Sequence, residues 1–139
     1  MYTIIHFSLP TAENRSNDIA YLNILEGETS PTNHLSKNTE NTTNTIGVQV
    51  MMGDTLAKQL NQYPNFIKID VEGFEVEVLK GMREVLSSEK LHSIFIEVHF
   101  RLLKEAGNPY GSQTIIKILK DYNFKVKWID FSHVMGIKI

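Results

Sequence analysis

Phe66, Ile67, Ile69 and Val71 form a nearly continuous apolar, β-branched run broken only by Lys68, the pattern of a central parallel strand covered on both faces. Two carboxylates close the run, Asp70 and Glu72, two positions apart and so expected on one side of an extended chain. Gly73 permits a sharp exit. Beyond it Val78, Leu79, Met82, Val85 and Leu86 recur at three-to-four spacing with Lys80, Arg83 and Glu84 outward, which predicts one amphipathic helix whose first turn carries the negative charge of Glu75 and Glu77. Ile94, Phe95, Ile96 and Val98 then give a second apolar strand ending in Glu97 and His99, again two apart. Strand, helix and strand make one βαβ unit, whose right-handed crossover sets the two strands parallel and adjacent. Asp70, Glu72, Glu97 and His99 are therefore expected to converge at the carboxyl edge of the sheet, where open α/β sheets bind ligands.

The flanks are less regular. Residues 1–64 read as a loop-rich segment, with Tyr2 to Leu9 strand-like, strands expected over Ile19 to Leu25 and Ile46 to Met52, and a solvated loop over 26–45 dominated by Glu, Thr, Ser and Asn. After His99 comes a polar segment through Gly107-Asn-Pro-Tyr-Gly111, whose Ser112 is a natural cap for a helix running to Asp121. Phe124, Val126 and Trp128, and then Val134 to Ile139, predict a terminal antiparallel hairpin turning at Asp130 to His133. The expected class is α/β, a mostly parallel sheet closed by that hairpin.

Composition narrows the function. With 139 residues, 42% of them hydrophobic, the chain can bury one core and leaves no room for two domains. A formal charge of −2 with scattered lysines and arginines provides no basic stripe for phosphates, so no nucleic acid partner is expected. There is no cysteine, and hence neither a disulfide nor a thiolate metal site. No apolar run reaches the roughly 18–20 residues of a membrane span, and Met1 to Pro10 lacks a basic leader pattern, which makes a cytoplasmic protein with no membrane partner the expectation. The sequons at Asn14 and Asn41 sit in Asn/Thr-rich stretches where the tripeptide is common, and Met51 and Met52 read as core fillers.

The four converging side chains carry the candidate chemistry. Asp70 could merely cap the amides of the next helix, but Glu97 in an apolar strand is costly unless it is paired or lies at the open end. His99 gains meaning from the carboxylates around it, whereas His6, His34, His92 and His133 are scattered, and Arg101 reads first as a solvated cation. An oxygen-rich set with one imidazole also suits a divalent metal such as Mg or Mn.

The block Ile67-Lys-Ile-Asp-Val-Glu-Gly-Phe-Glu-Val-Glu-Val-Leu-Lys-Gly81, followed by Ile94-Phe-Ile-Glu-Val-His99, closely resembles the signature of the FkbM family of S-adenosylmethionine-dependent methyltransferases. A looser likeness covers Val48 to Leu56 upstream and Ile115 to Ile129 downstream. The resemblance implies a Rossmann-like class I methyltransferase sheet, S-adenosylmethionine as methyl donor, and a sugar or natural-product hydroxyl as acceptor. It places Asp70 against the cofactor and offers Glu72, Glu97 or His99 as the base that activates the hydroxyl. The eight glycines include no G-x-G, the loop that holds the cofactor in this fold, so the chain is expected to be the carboxyl-terminal part of the domain, completed by a missing amino-terminal fragment or a second copy. Without the resemblance, the same constellation also fits a metal-assisted α/β hydrolase or a non-catalytic interaction module.

Overall fold

The computed structural model describes residues 51–139 in full and, before them, the backbone of three strands: β1 (Asp18–Asn23), β2 (His34–Ser36) and β3 (Thr45–Val50). They form an antiparallel sheet in the order β2-β1-β3, with Asp18 opposite Val50 and Leu22 opposite both Ile46 and Leu35. The strands expected near Ile19 and Ile46 are present. The loop expected over 26–45 contains β2, whose three residues are too short to leave a periodic signal. Tyr2 to Leu9 and both sequons lie outside the described residues.

The rest runs α1 (Gly53–Gln59), β4 (Phe66–Ile69), α2 (Glu75–Lys80), α3 (Arg83–Ser87), β5 (Ser93–Glu97), α4 (Phe100–Glu105), α5 (Gly111–Asp121), β6 (Phe124–Trp128) and β7 (His133–Lys138). The second sheet has the order β4-β5-β7-β6. β4 and β5 are parallel neighbours, as the crossover requires, and the terminal hairpin forms as expected. The hairpin's second strand inserts beside β5, so both remaining contacts are antiparallel and this sheet is mixed, not mostly parallel.

Register sorts the side chains onto two faces, because directly paired residues point the same way. Ile67, Ile69, Ile94, Ile96, Val134 and Phe124 occupy one face and are buried in a core with Val76 and Leu79 of α2, Leu103 of α4, and Ile115 and Leu119 of α5. The opposite face carries Lys68, Phe95, Glu97, His133 and Met135, all half-buried. The coverage on both faces expected for β4 and β5 is thus complete on the helix side alone. On that side Gly136 is required by packing: a Cβ there would stand 2.9 Å from Ile94 Cγ2 and 3.3 Å from the Phe124 ring.

Three local expectations need correction. The single helix after Gly73 is two, α2 and α3, broken at Gly81 and Met82. The apolar stripe continues across the break, with Val78, Leu79, Met82, Val85 and Leu86 all buried, so periodicity alone could not reveal it. Asp54 stitches the break from α1: its N–H donates to the Gly81 carbonyl (3.1 Å), and its carboxylate accepts the N–H groups of Val85 (2.9 Å) and Glu84 (3.1 Å). The polar segment after His99 holds α4, six residues anchored by the buried Leu103 and too short for a clear period. Ser112 is not a cap: Tyr110 occupies that position without a side-chain bond, and Ser112 Oγ donates to Gln113 Oε1 inside α5. Among the described residues no helix is long and apolar enough to cross a membrane.

Candidate active site

β4 ends at Ile69 and the chain leaves the sheet through Asp70 and Val71 into a tight turn. Both Glu72 (φ 48°) and Gly73 (φ 99°) have left-handed backbone there. Gly73 lies against Leu102 of α4, where a Cβ would approach the Leu102 Cβ to 2.7 Å and its carbonyl carbon to 2.8 Å, so the turn at this position admits only glycine. Left-handed backbone ends the period of two that the sequence suggested. Glu72 is not among the three expected residues, Asp70, Glu97 and His99, whose ligand atoms lie within 4.8 Å of one another.

β5 keeps its alternation through the strand end: Ile94, Ile96 and Val98 are buried, and Phe95, Glu97 and His99 are half-buried. His99 then heads α4. Its Nε2 is 3.8 Å from Glu97 Oε1 and 3.9 Å from Asp70 Oδ1, and one ligand atom from each of Asp70, Glu97 and His99 lies within 4.8 Å of the others. Lys68 Nζ holds the other Asp70 oxygen at 3.1 Å. Three of the four predicted side chains are thus brought together where the parallel strands end.

The group has a member that the sequence reading assigned to helix-end charge. Glu75, at the start of α2, is wholly buried, and its Oε1 lies 3.0 Å from the Gly73 amide and 2.7 Å from His99 Nδ1. A carboxylate accepts only, so Nδ1 carries the proton of that bond. The signal was present in the sequence: Glu75 stands three, four and seven residues before Val78, Leu79 and Met82, on the apolar stripe itself. His133 was also passed over. It pairs with Glu97 across β5 and β7, its Nε2 is 3.6 Å from Glu97 Oε2, its Nδ1 is 2.9 Å from Asp130 Oδ2, and its ring stacks on Phe95 with centroids 5.2 Å apart. His34 falls in β2, and Arg101 bonds Glu105 one turn along the exposed side of α4, the solvated role expected for it.

Electrostatics follow from this arrangement. The hydrogen bond to Glu75 holds the His99 pKa above the usual imidazole value, against the opposing effect of burial and with help from the charges of Glu75, Glu97 and Asp70. At the hairpin turn, Asp130 accepts the N–H groups of Ser132 and His133, and these bonds with the His133 ring pull its carboxyl down to about 2. With Nδ1 committed to Glu75, a neutral His99 presents the Nε2 lone pair beside two carboxylate oxygens. Three acceptors facing one another call for a proton, carried by His99 itself or by a bound hydroxyl, or for a cation between them.

A family model described as the methyltransferase FkbM domain matches residues 8–126. The hexuronic acid methyltransferase AglP of Haloferax volcanii is 33% identical over 94 residues, a match that covers 61% of this chain and 37% of that protein's length. No solved structure matches the chain.

Proposed function

The chain belongs to the FkbM methyltransferase domain family, and we propose that it acts in S-adenosylmethionine-dependent O-methylation of a saccharide, with Asp70, Glu97 and His99 at the acceptor oxygen. The observation that carries this reading is the convergence of Asp70 Oδ1, Glu97 Oε1 and His99 Nε2 at the sheet edge where β4 and β5 end. Three acceptors so placed receive a hydroxyl together with its proton. A relative named for methylation of hexuronic acid supports a sugar, and within that class a uronic acid, as the acceptor.

S-adenosylmethionine, when bound, supplies an electrophilic methyl group on a cationic sulfur. The residues fit it: the carboxylates of Asp70 and Glu97 make this edge anionic, and Asp70, the first residue beyond β4, would also border the cationic sulfur, as the family resemblance implies. His99 Nε2, facing Glu97 and Asp70, would take the hydroxyl proton that the acceptor oxygen gives up as it receives the methyl group. His99 then carries the positive charge, stabilised by Glu75, Glu97 and Asp70. A base in this position contributes about 10²–10⁴ in rate. Glu72, the alternative base that the sequence offered, is not one of the three residues in this 4.8 Å group, so the reading rests on His99.

The same spacing favours a second reading, in which Asp70, Glu97 and His99 hold a divalent cation that acidifies the acceptor hydroxyl. Transfer of a labelled methyl group from S-adenosylmethionine to a glucuronic acid glycoside, with and without chelator, tests both. Transfer that survives chelation supports the His99 base. Transfer that is abolished by chelator and restored by Mg or Mn supports the cation, and absence of transfer to any of a panel of sugars, by protein that calorimetry shows to bind S-adenosylmethionine, contradicts both.

A further inference from the structure

We infer that Glu75 is the positioning residue of this site: from α2 it fixes the His99 ring through Nδ1 and so turns Nε2 onto the space between Asp70 and Glu97. The inference rests on the reading that the reaction occurs at His99, but the geometry behind it is independent of the acceptor. Glu75 is the one charged side chain in the core of the described residues, with no exposed surface. Its Oε1 receives two hydrogen bonds, from the Gly73 amide at 3.0 Å and from His99 Nδ1 at 2.7 Å. The first bond comes from the turn that ends β4 and the second from the residue that heads α4, so one oxygen ties together the two segments that carry Asp70 and His99.

A purely structural role does not account for this choice of residue. Glu75 Oε2 is buried without a hydrogen-bond partner among the described residues, a cost that an apolar side chain would not carry. What a carboxylate provides is an obligatory acceptor, which leaves the ring one neutral tautomer, protonated at Nδ1 and open at Nε2. The other charged groups around His99 do not hold Nδ1. Asp70 and Glu97 approach from the Nε2 side at 3.9 and 3.8 Å, Lys68 is engaged with Asp70, and His133 lies beyond Glu97. A histidine oriented from behind by a buried acid while its second nitrogen does the work is a general device of base and metal-ligand histidines alike, so Glu75 would serve either form of the site.

The test is nitrogen NMR of the histidine rings at a pH where His99 is neutral, read together with steady-state kinetics. In the wild-type chain His99 should be the Nδ1–H tautomer. Glu75→Gln, whose carbonyl can still accept from Gly73 and Nδ1, should keep that tautomer and lose less than about tenfold in kcat. Glu75→Leu should shift the ring toward Nε2–H and lower kcat by about 10²–10³-fold, within what a general base contributes, with KM and S-adenosylmethionine affinity within about twofold of wild type. An Nε2–H ring in the wild type, or an Nδ1–H ring retained in Glu75→Leu, overturns the inference. So does wild-type kcat in Glu75→Leu. The tautomer is read without substrate, so a protein that transfers no methyl group but shows the predicted ring states contradicts the proposed function and leaves the role of Glu75 standing.

Discussion

Gly73 and Leu102 meet backbone to backbone: a Cβ on Gly73 would stand 2.7 Å from the Leu102 Cβ and 2.8 Å from its carbonyl carbon, while Gly73 itself has a φ of 99°. The contact sets the turn after β4 against α4, and the amide of the same glycine donates to Glu75. Gly73→Ala should therefore destabilise the fold by about 2–4 kcal/mol, combining left-handed backbone strain with overpacking. Urea unfolding checks this. A cost below about 0.5 kcal/mol would mean that the turn relaxes freely and that α4 is not held by it.

The raised pKa of His99 sets opposite pH trends for stability and for catalysis. Stabilisation from charged His99 among Glu75, Glu97 and Asp70 is fully present below the unfolded imidazole pKa of about 6.5. It is lost as pH rises through the higher folded value. Melting temperature should fall across that window in the wild type and should lose this component in His99→Gln. If neutral His99 is the base, kcat should instead rise through the same window. Ring-proton NMR titration of His99 gives the folded pKa directly, and a value below about 6.5 would contradict the electrostatic account.

Asp54 links α1 to the break between α2 and α3 through two accepted N–H bonds, at 2.9 and 3.1 Å. Asp54→Ala should cost about 1–2 kcal/mol, the range for loss of a helix cap. The Asp54 carboxylate makes these contacts at α3 and bonds none of Asp70, Glu75 and His99, so methyl transfer by the folded variant should match the wild type. A stability change within error would show that the two amides are satisfied without it.

Much of this arrangement can be read from residue order. The βαβ unit, the parallel pair β4–β5, the terminal hairpin and the meeting of Asp70, Glu97 and His99 follow from two apolar strands flanking an amphipathic stripe. Features that depended on a single φ or on contacts remote in sequence did not follow. Glu72 is adjacent to Gly73 and shares its left-handed backbone, which a period-two reading cannot anticipate. The break at Gly81 leaves the apolar stripe intact and depends on Asp54, some thirty residues away. Glu75 was legible, as a carboxylate on a buried stripe, but its negative charge in a first helical turn had a simpler electrostatic explanation. His133 reaches Glu97 only because β7 inserts beside β5, a pairing that no local pattern specifies.

The central claim is that His99, facing Asp70 and Glu97, takes the acceptor proton. Its most direct test is the rate of methyl transfer from S-adenosylmethionine to a saccharide acceptor by His99→Gln, measured beside calorimetric affinity for S-adenosylmethionine. The account predicts a fall in kcat of about 10²–10⁴-fold with cofactor affinity nearly unchanged. Turnover within about threefold of wild type would contradict it, leaving the cluster a structural ion-pair network.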